Sequence, residues 1–215
     1  QLEPLEQSSG DVGVFSRISW QNLLVMVVMA LVVCALGNSD RTFHFRMRME
    51  ECMVKGNFAE ATQVGVKEAA TDSSLTMLRV WALSENHMLG DRLFSYPLVG
   101  GSDAMLPNGA SVKLMMADER KLYAHLGVVF IQKMRPRVYL ETLHRAHRAT
   151  AAAHDWLLCA YLLDRDLNQF VRHLAKYYPI NEQLPKHYKE ALIIYKHTTS
   201  HPLISYYNNV KEADY

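Results

Sequence analysis

Residues 23–36, LLVMVVMALVVCAL, are fourteen consecutive apolar positions, and no other feature restricts the fold of this chain as much. A bilayer core of about 30 Å is crossed by roughly 20 helical residues, so fourteen alone suit a core helix, a signal-peptide core or the centre of a span. The flanks extend the run. Over residues 18–37 the polar side chains are Ser19, Gln21 and Asn22, all near one end, with Trp20 where an interfacial aromatic would sit. A cleaved signal sequence would use Ala35-Leu36-Gly37 as its small-x-small site, but it lacks a basic n-region, and mostly polar, net acidic residues precede the core. Leu31-Val32-Val33-Cys34 makes a poor lipobox because Val33 is bulky. The expectation is therefore a polar flank over residues 1–16 and a transmembrane helix over residues 17–37, with a signal sequence and a buried helix as the alternatives. Gln1 in place of an initiating Met suits a processed form or a piece of a longer protein.

Charge divides at the same place. Residues 1–37 set Arg17 against Glu3, Glu6 and Asp11, whereas the remaining 178 residues carry a net +3 and all ten histidines. Arg41, Arg46, Arg48 and Lys55 follow the apolar run and only Arg17 stands closely before it, so positive-inside logic puts the C-terminal part in the cytoplasm. A whole-chain charge of +1 with 49% hydrophobic and 21% charged residues excludes disorder, a collagen-like repeat and a histone-like polycation. Nucleic acid is not expected as a partner, because +3 is no strongly basic footprint and stacking motifs are absent.

From Thr42 onward short helical patterns alternate with Gly, Pro and Asn, and period-2 alternation is nearly missing, which predicts an all-α domain over residues 38–215. The spacing Tyr123-x-x-Leu126-Gly127-x-x-Phe130 matches the core of a tetratricopeptide helix A, with Leu143 and Ala146 where the second helix packs back and bulky Tyr139 where a small residue is usual. Lys55-Gly56-Asn57-Phe58-Ala59-Glu60-Ala61 has the form of a junction between paired helices, Gly56 supplying the stop and Ala61 the close contact. A third hairpin is expected over residues 155–176, where Arg165-Asp166 turns an apolar helix into a stripe of Leu167, Phe170, Val171 and Leu174. Pro179 stops that helix and Pro185 begins the next, over residues 186–197. Together these predict an all-α fold: one transmembrane helix followed by a tetratricopeptide-like α-solenoid of helical hairpins.

Three stretches carry a narrower likeness: Leu89-Gly90-Asp91-Arg92-Leu93-Phe94, Ala104-Met105-Leu106-Pro107, and Leu184-Pro185-Lys186-His187-Tyr188-Lys189-Glu190-Ala191-Leu192. With them the chain resembles an uncharacterised bacterial family of multi-span membrane proteins whose C-terminal domain is tetratricopeptide-like and of unknown function. The resemblance covers residues 43–197 and the preceding span. It implies the bacterial inner membrane as location and this chain as the last span and tail of a larger protein, and it brings no catalytic residues.

No catalytic, cofactor-binding or metal site is predicted. Glu141-x-x-His144 is one copy of an element that di-iron bundles need twice, and His144 and His147 read more simply as a solvated basic face. His187-x-x-Glu190 reads as structural in a first helical turn. Cys34, Cys52 and Cys159 form no C-x-x-C and read as buried thiols. Nucleotide-binding glycine motifs and G-x-S-x-G are missing; Gly100-Gly101-Ser102 falls in a long stretch, residues 96–111, read as a connector with a partner-binding lid as the alternative.

The residues nominated for binding are Lys133, Arg135, Arg137, His144, Arg145, His147 and Arg148, opposed along the sequence only by Glu141. They point to an acidic segment of a protein partner or membrane-complex subunit, or to anionic headgroups. The expected activity is that of a membrane-anchored repeat domain that binds a partner or scaffolds a complex. The alternative is an accessory or catalytic domain of a membrane enzyme acting on a lipid-linked substrate, with Glu141, His144 and His147 as its polar groups.

Overall fold

The computed structural model describes residues 11–36, 40–128, 134–204 and 206. They fall into two units, Gln1–Asp40 and Arg41–Tyr215, and all regular structure among the described residues is helical. The first unit holds α1 (Asp11–Leu36). Within it, Arg17–Ala35 is long and apolar enough to cross a membrane, and its side chains are exposed rather than packed into a core. Nineteen residues of α-helix rise about 28 Å, close to a hydrocarbon thickness. Cys34 is exposed on this helix, against the expectation of burial, because it sits on an apolar helix whose side chains are exposed, whereas Cys52 and Cys159 are buried.

The second unit contains α2 (Arg41–Val54), α3 (Phe58–Ala61), α4 (Ser73–Glu85), α5 (Leu89–Arg92), α6 (Glu119–Leu126), α7 (Pro136–Arg145), α8 (Ala151–Leu163), α9 (Leu167–Tyr177) and α10 (Lys186–Thr198). Their starts follow local chemistry. Asp72, Asp118, Thr150 and Asp166 accept first-turn amides of α4, α6, α8 and α9, while Pro136 opens α7 and Pro185 precedes α10. Such caps contribute about 1 kcal/mol each.

Four helices stop in one way. At the ends of α2, α4, α7 and α8, Gly56, His87, His147 and Arg165 take left-handed φ values of 79°, 55°, 53° and 59°. Each of these residues donates its N–H three residues back, and the following N–H reaches five back, as in Asn57 to Cys52 and Asp166 to Tyr161 at 2.8 Å each. This is the Schellman arrangement. The next helix starts two residues after Gly56, His87 and Arg165, so α2/α3, α4/α5 and α8/α9 are each joined by a three-residue turn. Only the first of the three contains the glycine that makes such a stop visible in sequence.

α4 and α8 are the core helices. Ser74 through Ser84 are buried without interruption, as are Trp156 through Tyr161. α8 packs on α7 and α9, as hairpin neighbours do, and also on α4, α5 and α6. The stripe expected on α9 faces this core through Phe170, Val171 and Leu174.

Gly127 departs from the expected repeat. It ends α6 with φ 137° instead of lying inside a longer helix, and a Cβ there would overlap the Arg148 carbonyl oxygen. The glycine thus serves a chain crossing. Phe130, the last residue of that spacing, lies outside the described residues. Tyr139 is buried, stands edge-on to Tyr123 at 5.3 Å and donates to the Val128 carbonyl at 2.6 Å. Ala146 caps α7 rather than packing a second helix.

Two of the three family-like stretches touch. A Cβ on Gly90 would sit 2.7 Å from Pro185 Cβ and 2.8 Å from Tyr188 Cζ, and Asp91 accepts the Lys186 amide at 2.7 Å. The third supplies core: Ala104, Met105 and Leu106 are buried. Residues 96–111 therefore form a pinned connector. Ser102 bonds to Asp164 through N and Oγ at 3.2 and 2.9 Å, and Arg79 donates to the Pro97 carbonyl at 2.6 Å. Beyond it, the buried carboxylate of Glu50 accepts the amides of Met115, Met116 and Ala117 at 2.6–3.1 Å, tying this segment to α2.

Candidate functional site

α7, α8 and α9 enclose a cleft of about 680 Å³. α7 contributes Glu141, His144 and Arg145, its terminal turn His147, α8 His154 and Tyr161, and α9 His173, Lys176 and Tyr177. His147 stands at the rim because the α7 cap requires a left-handed residue there. Inside, His154 stacks on Tyr177 with centroids 4.1 Å apart and planes 11° apart, and His144 tilts against both at 5.0 and 5.4 Å. Tyr161 and His173 are 5.0 Å apart.

Backbone carbonyls set two tautomers. His144 Nδ1 lies 2.7 Å from the Leu140 carbonyl and His173 Nδ1 lies 2.9 Å from the Gln169 carbonyl, so both Nδ1 atoms carry the proton, since a carbonyl only accepts. The Nε2 of His144 is buried and has no hydrogen-bond partner among the described residues. Burial lowers the His144 pKa, against the raising effect of the Leu140 bond, and the neighbouring His154, His173 and Lys176 lower it further. Burial also lowers that of His154, with Asp155 acting in opposition. These two imidazoles are neutral at pH 7. Fixed positive charge comes from Arg145 and Lys176, which have no carboxylate partner among the described residues.

The nominated basic residues do not converge as one patch. His144, Arg145 and His147 line the cleft, Arg148 is exposed beyond it, and Lys133 lies outside the described residues. Arg135 and Arg137 turn elsewhere. Arg135 forks onto Asp103 at 2.7 and 3.2 Å, and Arg137 reaches Glu141, Asp164 and Asp166 at 3.1, 3.4 and 2.8 Å while lying over the Tyr161 ring. Desolvation lowers the Arg137 pKa, but the bonds to Glu141 and Asp166 outweigh it and the net shift is upward. Sequence showed Glu141 as the only opposing charge; the other carboxylates arrive from distant segments. His154, His173, Tyr161, Lys176 and Tyr177 were not nominated, and the available signal was a histidine on each of three successive helices.

A metal-binding group of three or more His, Cys, Asp or Glu is missing among the described residues. Glu141 is occupied by Arg137 and by the Tyr161 hydroxyl at 3.3 Å. The cleft offers two cations, Arg145 and Lys176, the imidazoles of His144, His154 and His173, and the aromatic faces of Tyr161 and Tyr177.

Residues 117–212 match a family of unknown function (DUF6057). The matched segment includes α6 to α10 and the whole cleft, but less than half of the chain. Of the three family-like stretches read from sequence, only residues 184–192 lie inside it. No curated protein and no solved structure matches the chain.

Proposed function

We propose that this chain is a membrane-anchored helical binding domain whose α7–α8–α9 cleft receives an acidic segment of a protein partner within a membrane complex. The observation that carries the reading is that Arg145 and Lys176 border a 680 Å³ cleft and pair with no carboxylate among the described residues, whereas Arg135 and Arg137 are each paired with carboxylates. The anchor is Arg17–Ala35 in α1. A tetratricopeptide-like origin is supported by the three-residue turn repeated between α2/α3, α4/α5 and α8/α9. The cluster of Arg41, Arg46, Arg48 and Lys55 after α1 favours a cytoplasmic position for the second unit.

The test uses the full chain in detergent micelles and a fluorescent peptide bearing six consecutive glutamates. Binding should weaken as salt rises and fall at least about tenfold in the Arg145→Glu/Lys176→Glu double variant. Absent binding, or binding indifferent to both changes, would refute the proposal. The second reading, an enzyme acting on a lipid-linked substrate, draws on Glu141, His144 and His147 meeting in the same cleft. It requires phosphate release from a polyprenyl pyrophosphate that is lost in His144→Ala; the engagement of Glu141 by Arg137 and Tyr161 favours binding over acid–base work.

A further inference from the structure

α4 closes on Ser84 and Glu85, and His125 of α6 lies against both. Ser84 Oγ is 2.9 Å from His125 Nε2, and Glu85 Oε1 is 3.4 Å from His125 Nδ1. The nearby carboxylate favours the proton on Nδ1, which leaves the Nε2 lone pair to the serine hydroxyl. Trp81 Nε1 donates to the same Glu85 oxygen at 3.0 Å and holds the carboxylate in place. The Thr150 hydroxyl donates to the His125 carbonyl at 2.8 Å, fixing the end of α6 to the start of α8. Burial lowers the His125 pKa, with Glu85 raising it and His87 lowering it, which leaves a neutral imidazole at pH 7.

Ser84 is 3% exposed, but that remnant faces a cleft of about 310 Å³ whose walls include His87, Ala151, Ala152, Asp155 and Tyr178. Ala151 and Ala152 are the first two residues of the thirteen-residue α8, whose cap Thr150 takes the Ala153 amide. Amides at those first positions have no acceptor within their own helix. The cleft thus presents a serine hydroxyl that is paired with an imidazole next to a carboxylate, beside a helix start that favours negative charge. It adjoins the α7–α9 cleft across His154 and Tyr177 and does not depend on what binds there.

We propose that Ser84, His125 and Glu85 form an acyl-transfer centre that hydrolyses small carboxylic esters. Ser84 Oγ bonds to the ester carbonyl carbon while its proton passes to His125 Nε2. The carbon–alkoxy bond then breaks, and the alcohol leaves with that proton. Water attacks the acyl-serine and gives one proton to His125; the carbon–Oγ bond breaks, Ser84 regains the proton, and the carboxylic acid departs. Glu85 acts as a positioning residue for the imidazole, and the Ala151 and Ala152 amides are the donors available to the oxyanion.

The experiment treats the full chain in detergent micelles with a fluorophosphonate, maps the adduct by mass spectrometry, and follows hydrolysis of p-nitrophenyl acetate. The expected result is an adduct on Ser84 and esterase activity that vanishes in Ser84→Ala. In His125→Gln the labelling rate should fall about 10²-fold or more. Glu85→Gln should shift the pH profile of labelling as well as slow it. Wild-type protein with intact helical circular dichroism that takes no label on Ser84, or labels at the same rate with His125→Gln, would overturn the assignment. The wild-type mapping decides the matter even if a variant fails to fold.

Discussion

α7 carries cations to two different fates. At its start, Arg135 and Arg137 meet Asp103, Asp164 and Asp166 from other segments, together with Glu141 one turn along. At its end, Arg145 and the capping turn with His147 border α8 and α9, which bring histidines, tyrosines and Lys176 instead of free carboxylates. The stretch from Arg135 to His147 therefore holds a structural clamp and a candidate binding surface. What separates them is the charge on the facing elements, a tertiary property that local composition does not reveal.

The comparison predicts unequal costs of substitution. Arg137→Ala should destabilise the fold by about 2 kcal/mol, since it removes several charge-assisted bonds and leaves three carboxylates close together. Urea unfolding measures it, and a loss below about 0.5 kcal/mol would show that the clamp is merely a solvated pair. His147→Gly should have the opposite sign, stabilising by roughly 0.5–1 kcal/mol, because a left-handed residue at φ 53° is relieved of its Cβ. Arg145→Ala and Lys176→Ala should leave stability within about 0.5 kcal/mol while weakening acidic-peptide binding. If either destabilises like Arg137→Ala, the two regions do not differ in kind.

Acid sharpens the same contrast. His144, His154 and His125 have folded-state pKa values below their ordinary 6.5, chiefly through burial. Below about pH 6.5 the unfolded chain therefore binds protons that the folded chain resists, and stability falls until the folded-state values are passed. Asp155 acts oppositely. Burial raises its pKa despite the hydroxyls of Tyr178 and Tyr188, so it gains protons on folding as the pH falls toward the carboxylate range. Denaturant midpoints should drop on acidification from pH 7, and His144→Gln should reduce the drop.

Much of the fold was legible in residues that act on their own neighbours. The apolar run over residues 23–36, Gly56 as a helix stop, the α9 stripe and Pro185 all correspond to observed elements, because each works through local periodicity or φ. Gly127 was misread as a packing glycine inside a helix, since the approach of Arg148 twenty-one residues away leaves no trace in the spacing. His87 and His147 hid two further stops by holding left-handed positions without being glycine, whereas the turn at Arg165-Asp166 was readable from the stripe that follows it. Of the candidate site, only the α7 side and His147 were readable. The α8 and α9 contributions and the partners of Arg135 and Arg137 depend on how the helices meet.

The central claim is that the α7–α8–α9 cleft, and not the Arg135/Arg137 face, receives acidic ligands. Its most direct test is NMR of histidine side chains in the full chain, in detergent, during titration with the six-glutamate peptide. The account predicts saturable shifts at His144, His154 and His173, with His187 unmoved. Shifts at His187 alone, or no saturable shift at the three cleft histidines, would contradict it.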